Sequence, residues 1–265
     1  MFMRALRRLW RIPLIFIWAL WHAVYSLCVN WPHPREQRIR LMAVQMKRWA
    51  SGLLPLFGVE LHVHGDTAQY ERTGGLVVSN HTGYMDVFTE ASVFGMRFCP
   101  KKEIRSWPVF GFYTSIATPI WVDRTSPRKS EETLREFRET LERKIPLIVY
   151  PEGTSTSGRT GLLPFKSTPF EAVAGTSIAV QPILVFYRTA GRGDVNPAWY
   201  GDVEFMPHLW ALLGNRKIIS DLYILEQYHA PDGFSRKQIA EAVRERMVQA
   251  YEKILPEIEA EENKS

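Results

Sequence analysis

The chain has 265 residues, 46% hydrophobic, 23% charged and 12% aromatic, which is enough for one α/β core and excludes collagen-like, coiled-coil and largely disordered chains. Two cysteines, Cys28 and Cys99, are too few for a disulfide scaffold or a Cys-rich zinc site, so a reducing compartment is expected. The net charge of +5 is unevenly placed: residues 1–50 hold nine basic side chains and one acid, Glu36, a net +8, leaving −3 for the other 215. Positive charge beside the most apolar stretch of the chain points to a membrane surface. A nucleic-acid-binding protein would carry its basic face on the folded domain.

From Ile12 to Trp31, twenty residues run without a formal charge. As a helix they would cover roughly the 30 Å of a bilayer's hydrocarbon core. Trp10, Trp18, Trp21, Tyr25 and Trp31 are rings of the kind that settle at headgroup level. Arginines precede the segment (Arg4, Arg7, Arg8, Arg11) and follow it (Arg35, Arg38, Arg40), so the positive-inside rule selects no orientation. No small-residue cleavage pattern follows, which argues against a signal peptide. A second apolar patch, Leu53–Phe57, lies beyond the basic connector; both a spanning and an in-plane segment stay open, with the reading leaning to two apolar segments in one leaflet and the arginines on anionic headgroups. Residues 1–58 are therefore read as a membrane-associating helical segment and 59–265 as a catalytic domain.

From residue 59 onward, short apolar runs alternate with amphipathic stretches. Strands are expected at Val59–Val63, Gly75–Ser79, Pro119–Val122, Leu147–Tyr150, Val180–Phe186 and Leu222–Leu225. Between them, Ser130 is expected to cap a helix with Leu134, Phe137 and Leu141 on one face and with Glu131–Arg135 and Glu139–Arg143 ion pairs. Ser235 and Gln238 form a capping box for a last helix that Pro256 should end, with Glu257–Ser265 frayed. The fold class is α/β, a mostly parallel sheet flanked by helices.

The strand Gly75–Ser79 ends at Asn80-His81, and a helix is expected to start near Tyr84. An imidazole there is exposed to a crevice yet held by a rigid scaffold, as at the carboxyl edges of open α/β sheets. His81 and Asp86 are five apart, about 500° on a regular helix, so they would not share a face if both were helical. With His81 in the turn and Asp86 in the first helical turn, the carboxylate can fold back onto the ring, fix its tautomer and stabilise the imidazolium. A His-Asp pair without a nucleophile suits direct transfer, in which the base takes a proton from a hydroxyl that attacks an activated acyl group. His62, His64 and Asp66 read as a solvated strand face rather than metal ligands, and no Walker A loop or dinucleotide fingerprint is present.

Over roughly residues 75–190 the sequence resembles the family of 1-acylglycerol-3-phosphate acyltransferases and related lysophospholipid and glycerol-phosphate acyltransferases. Asn80, His81 and Asp86 match the first motif, with Gly83 where many members carry Ser. Lys101, Glu103, Ile104, Pro108 and Gly111 match the next block. Thr118–Arg124 matches the second motif without its leading Gly, and Tyr150-Pro151-Glu152-Gly153-Thr154-Ser155-Thr156 matches the third. Leu163–Lys166 and Val180–Ile183 match downstream blocks.

The resemblance implies a membrane-associated O-acyltransferase that moves a fatty acyl group from acyl-CoA or acyl carrier protein to a lysolipid hydroxyl, without metal or bound cofactor. In it the His81–Asp86 dyad is the base. Asn80, Lys101, Arg124, Glu152, Gly153, Thr154, Ser155 and Lys166 bind the acceptor. Since such donors are cytosolic, the catalytic domain is expected on the cytoplasmic face of a membrane, the bacterial inner membrane. Members acting on lysophosphatidate usually carry Arg where this chain has Ser155, so either Arg159 or Lys166 compensates or the acceptor lacks a phosphate monoester. The acceptor expected is 1-acylglycerol-3-phosphate, giving phosphatidate, with lyso-ornithine lipid or lysophosphatidylcholine as the alternative. Rivals of another class are a serine lipid hydrolase using Ser155 or Ser157 and a non-catalytic membrane-binding module.

Overall fold

A computed structural model describes residues 2–68, 75–108, 110–123, 126–191 and 193–263. Its centre is a run of apolar strands too short and too buried to face water. All four residues of β2 (Leu76–Ser79) and all three of β3 (Leu147–Val149) are buried. So are nine of the ten in β4 (Val180–Thr189). Strands apolar on both faces need a helical layer on each side. With β1 (Val59–His64) and β5 (Ile218–Ile224) they form one sheet in the order β1-β5-β4-β2-β3. Every pairing is parallel except β4 with β5.

Side chains along each strand alternate between two cores. Leu76, Val78, Leu147, Val149, Leu184 and Phe186 face one layer. It comprises α5 (Pro127–Glu142, through Phe137 and Leu141) and α7 (Arg236–Glu262, through Ile239, Val243 and Met247). Val77, Ile148, Ile183 and Val185 face the other. That layer is built by α2 (Arg35–Phe57), α3 (Tyr84–Phe94) and α6 (Phe205–Leu212). Between α3 and α5 lies the short α4 (Phe110–Ile116).

The sheet extends past β3 through two strand-like segments. Ile148 N donates to Arg97 O, Ile120 N to Phe98 O and Val122 N to Pro100 O, at 2.9–3.1 Å. The Pro119–Val122 strand is thereby reduced to bridges, because Pro100 has no N–H to return. β5 starts four residues before the expected Leu222.

Helix α1 (Phe2–Tyr25) continues through a π-helical turn, Ser26–Asn30, and pairs with α2. Trp18 Nε1 donates to Trp49 O at 3.0 Å, and its ring lies so close to Gly52 that a β-carbon there would sit 2.1 Å from it. Arg7 Nη1 donates to Gly214 O, Arg8 Nε to Trp210 O, and Arg11 Nη1 to both Leu213 O and Asn215 O, at 2.7–3.1 Å. Arg4 reaches Gly193 O. Arg7, Arg8 and Arg11, expected on headgroups, instead satisfy carbonyls left open at the carboxyl end of α6, where positive charge also meets the helix dipole. Arg35 of the connector pairs with Glu136 of α5 at 2.7 Å. By length and composition Phe2–Asn30 is apolar enough to cross a membrane, and 17% of its most apolar window is buried.

Two helix boundaries depart from the sequence reading. Helix α5 is capped by Ser126, whose Oγ accepts from Lys129 N, with Pro127 at the first helical position; Ser130 Oγ bonds back to Ser126 O instead. Its internal ion pairs are Arg128–Glu132 and Arg135–Glu139, while Arg143, past the last turn, turns to Glu36 at 2.6 Å. Helix α7 runs through Pro256 to Glu262, because continuing it buries Ile258. It also sets Glu261 on Arg188 at 2.6 Å and Glu262 on Arg159 at 2.8 Å. Ile258→Ala should therefore lower stability by about 2–4 kcal/mol in urea unfolding. A frayed carboxyl terminus would show no change.

Candidate functional site

The carboxyl ends of β2 and β3 lie side by side, so the loops that leave them meet. Asn80 closes the first turn: its Nδ2 donates to Val185 O and its Oδ1 accepts from Val185 N, at 3.0 and 2.8 Å. Both ends of this buried amide are thus spent on β4, and Asn80 is a positioning group rather than a substrate ligand as expected.

His81 follows, its side chain 24% exposed, with Nδ1 2.8 Å from Asp86 Oδ2. Asp86 is fully buried in the first turn of α3. Its Oδ2 also accepts from Thr82 N and Gly83 N, at 2.7 and 3.0 Å, and its Oδ1 accepts from Thr82 Oγ1 at 2.6 Å. Because the carboxylate accepts a hydrogen bond from Nδ1–H, Nε2 carries the lone pair, and Nε2 has no hydrogen-bond partner among the described residues. Gly83 has φ +152°, and a β-carbon on it would meet Trp199 N at 2.8 Å. Glycine is needed because the backbone at Trp199 packs on the turn, its N–H donating to Thr82 O at 2.7 Å.

The loop after β3 grips the same turn. Glu152 is buried; its Oε1 accepts from His81 N at 3.0 Å and its Oε2 from Leu163 N at 2.9 Å. Thr156 N donates to His81 O at 2.9 Å. Glu152, expected to bind the acceptor, has both oxygens committed to backbone amides and so works as a clamp. Burial, opposed by those two hydrogen bonds, holds its carboxyl above the usual carboxylate range.

Gly153 has φ +74° and lies under the Lys166 side chain, whose Nζ would be 2.3 Å from a β-carbon at that position. Thr154 and Lys166 are exposed and Ser155 is half-buried. Arg159 is held by Tyr187 O and Glu262, at 2.9 and 2.8 Å. Lys101 is exposed and pairs in register with Val122, in segments parallel to β3, which brings it to the same sheet edge. Neither Lys101 nor Lys166 makes an ion pair among the described residues. Arg124 lies outside the described residues. His62 and His64 both face Asp221, at 3.3 and 3.2 Å, on the β1–β5 side of the sheet.

Three groups beside the dyad escaped the sequence reading. The Tyr150 ring stacks on His81, centroids 4.1 Å apart and planes 19° from parallel. Its hydroxyl donates to Glu90 Oε2, and Ser79 Oγ donates to Glu90 Oε1 at 2.5 Å. An aromatic group, Tyr84, Trp199, Phe205 and Phe110, adjoins the turn, with Tyr84 Oη 2.9 Å from His208 Nδ1. Glu90 had one signal, its place four residues after Asp86 on the same helix face.

A half-buried histidine paired with a buried aspartate at the carboxyl rim of a mostly parallel sheet is an arrangement suited to group transfer. The chain belongs to the acyltransferase family and is an acyltransferase: the family profile described as Acyltransferase matches residues 60–185. It is 30% identical over 198 residues to the 1-acyl-sn-glycerol-3-phosphate acyltransferase of Neisseria meningitidis serogroup B, covering 73% of this chain and 76% of that protein. It is 31% identical over 205 residues to the lyso-ornithine lipid O-acyltransferase of Brucella abortus, covering 72% and 76%. The fold matches the crystal structure of the 1-acyl-sn-glycerophosphate acyltransferase PlsC of Thermotoga maritima, with a TM-score of 0.65 at 20% identity over 95% of this chain and 97% of that one.

Glu90 is fully buried, and burial, reinforced by the charge of Asp86, pushes its carboxyl well above the usual 4.5. A carboxyl raised on folding favours the native state while both states hold the proton, and that advantage shrinks as pH rises past the unfolded value. As pH rises from the unfolded carboxyl value across the range where wild type stays folded, Glu90→Gln should therefore gain stability relative to wild type by up to about 1.4 kcal/mol per pH unit. Urea unfolding across that range checks the slope.

Proposed function

We propose that this acyltransferase moves a fatty acyl group from acyl-CoA or acyl carrier protein to the free hydroxyl of a lysolipid, foremost 1-acylglycerol-3-phosphate, giving phosphatidate. The observation that carries the reading is the His81–Asp86 pair with its open Nε2. Nε2 takes the proton of the acceptor hydroxyl while that oxygen attacks the thioester carbonyl carbon. The carbon–sulfur bond then breaks, and the imidazolium returns its proton to the leaving sulfur. Asp86 holds the ring through this cycle and stabilises the imidazolium. No serine hydroxyl contacts the imidazole among the described residues, and Ser157 Oγ accepts from Arg159 N, which argues against a serine hydrolase.

The acceptor follows from which cations are left free. Arg159 is committed to α7, so it does not stand in for the arginine that Ser155 lacks. Lys166, lying over Gly153, and Lys101, at the same edge, supply point charges for a phosphate. The names of the Neisseria and Brucella relatives support the two leading acceptors, lysophosphatidate and lyso-ornithine lipid.

The catalytic domain is proposed to sit on a membrane, at the cytoplasmic face of the bacterial inner membrane where such donors are found. The outward side of α1, with Leu9, Phe16, Ile17 and Trp21 more than half exposed, supplies the apolar contact. That helix is tied to the domain from Arg4 to His22, whose Nδ1 is 2.5 Å from Gln45 Nε2, which favours an in-plane segment over a spanning one.

The test offers detergent-solubilised wild type and His81→Ala a labelled acyl-CoA and acyl carrier protein, with lysophosphatidate, lysophosphatidylcholine and lyso-ornithine lipid as acceptors. His81→Ala should lose about 10²- to 10⁴-fold in kcat. Lys166→Ala should raise KM for lysophosphatidate about tenfold and leave lyso-ornithine lipid nearly unaffected. Turnover confined to lyso-ornithine lipid would transfer the assignment to that acceptor, and His81-independent turnover would overturn the base.

A further inference from the structure

Behind the dyad lies a second carboxyl that the transfer does not use. Glu90 is fully buried on α3, four residues beyond Asp86. Each of its oxygens meets a hydroxyl from a different strand end, Ser79 from β2 and Tyr150 from β3. Tyr150 in turn lies flat on the face of His81, 4.1 Å between centroids. Asp86 restrains the imidazole through one atom at its edge, Nδ1, a contact that still permits the ring to tilt. A flat neighbour on the face removes that freedom.

We propose that Glu90 and Tyr150 are positioning residues for the transfer: Glu90 anchors the Tyr150 hydroxyl, and the anchored ring holds the His81 imidazole with Nε2 aimed at the acceptor hydroxyl. The inference rests on His81 being the base. A neutral group at Glu90 meets the requirement. Its environment holds no cation contact among the described residues, and Asp86 already occupies the same helix face with a negative charge. In the uncharged acid one oxygen accepts from Tyr150 and the other shares a proton with Ser79, and the amide of glutamine reproduces both contacts. A carboxylate at Glu90 would instead place a second negative charge behind the dyad.

The experiment measures kcat and KM for donor and acceptor in wild type, His81→Ala, Tyr150→Leu, Tyr150→Phe, Glu90→Gln and Glu90→Leu, with thermal unfolding of each. Tyr150→Leu should lower kcat at least about tenfold with both KM values within about twofold, since a tilted base binds substrates but transfers protons poorly. Glu90→Gln should stay within about threefold of wild type. Tyr150→Phe and Glu90→Leu should each fall between, and the double variant should be no worse than either, because both break one hydrogen bond. These last variants keep the ring and the volume, so they read the anchor even if Tyr150→Leu does not fold.

A folded Tyr150→Leu with wild-type kcat, an effect confined to KM, or a Glu90→Gln as impaired as Glu90→Leu would overturn the proposal. An inactive His81→Ala beside an unimpaired Tyr150→Leu would sink the positioning role alone. An active His81→Ala would sink the base and the inference with it.

Discussion

A buried carboxyl group with no lysine or arginine in contact among the described residues is the constraint around which the site is arranged. Asp86 is fully enclosed, where a carboxylate is tolerated only if hydrogen bonds replace its hydration. Four hydrogen bonds take the place of water, from Thr82 N, Thr82 Oγ1, Gly83 N and His81 Nδ1. Three of the four donors are available only if the chain between His81 and Asp86 curls into the amino terminus of α3, where the helix dipole adds to their effect. The turn is therefore dictated by the charge it encloses. Gly83 and the backbone of Trp199 follow from that curl, since a side chain at Gly83 would block the strand of backbone that closes over it.

The same turn is held from outside by the loop after β3. Glu152 links the His81 amide to the Leu163 amide, and Thr156 holds the His81 carbonyl. Two sequence-distant motifs thus act as one body: the first supplies the His81–Asp86 pair and the third fixes the peptide that carries the histidine. This division leaves the exposed part of the third motif, Thr154, with Lys166 above Gly153, free to face a substrate.

Much of this was legible in the chain. The sheet, its apolar strands and the start of α3 are local patterns of burial and turn chemistry. The spacing of His81 and Asp86 implied a turn-plus-helix geometry because no single helix face holds both. What escaped depends on partners far away in sequence. Glu152 reads as a ligand until β2 and β3 are laid side by side. The arginines of α1 read as headgroup contacts because open carbonyls at the end of α6 carry no sequence signature. Pro256 reads as a stop, and only Arg188, Arg159 and the pocket for Ile258 explain why the helix continues. Tyr150 read only as a strand end that opens the third motif and Glu90 drew no reading, because their contact with the dyad emerges only from a stack between two strand ends.

The arginine clamp between α1 and α6 also changes how the chain's charge should be understood. Arg11 is only 3% exposed and Arg7 half-buried, so counterions have little access to the contacts they make. Debye screening weakens charges in solution far more than charges sealed against carbonyl dipoles. Much of the excess that makes the amino terminus look like an electrostatic magnet is internal wiring. Raising the ionic strength would dim the field around the connector while leaving α1 fastened to its domain.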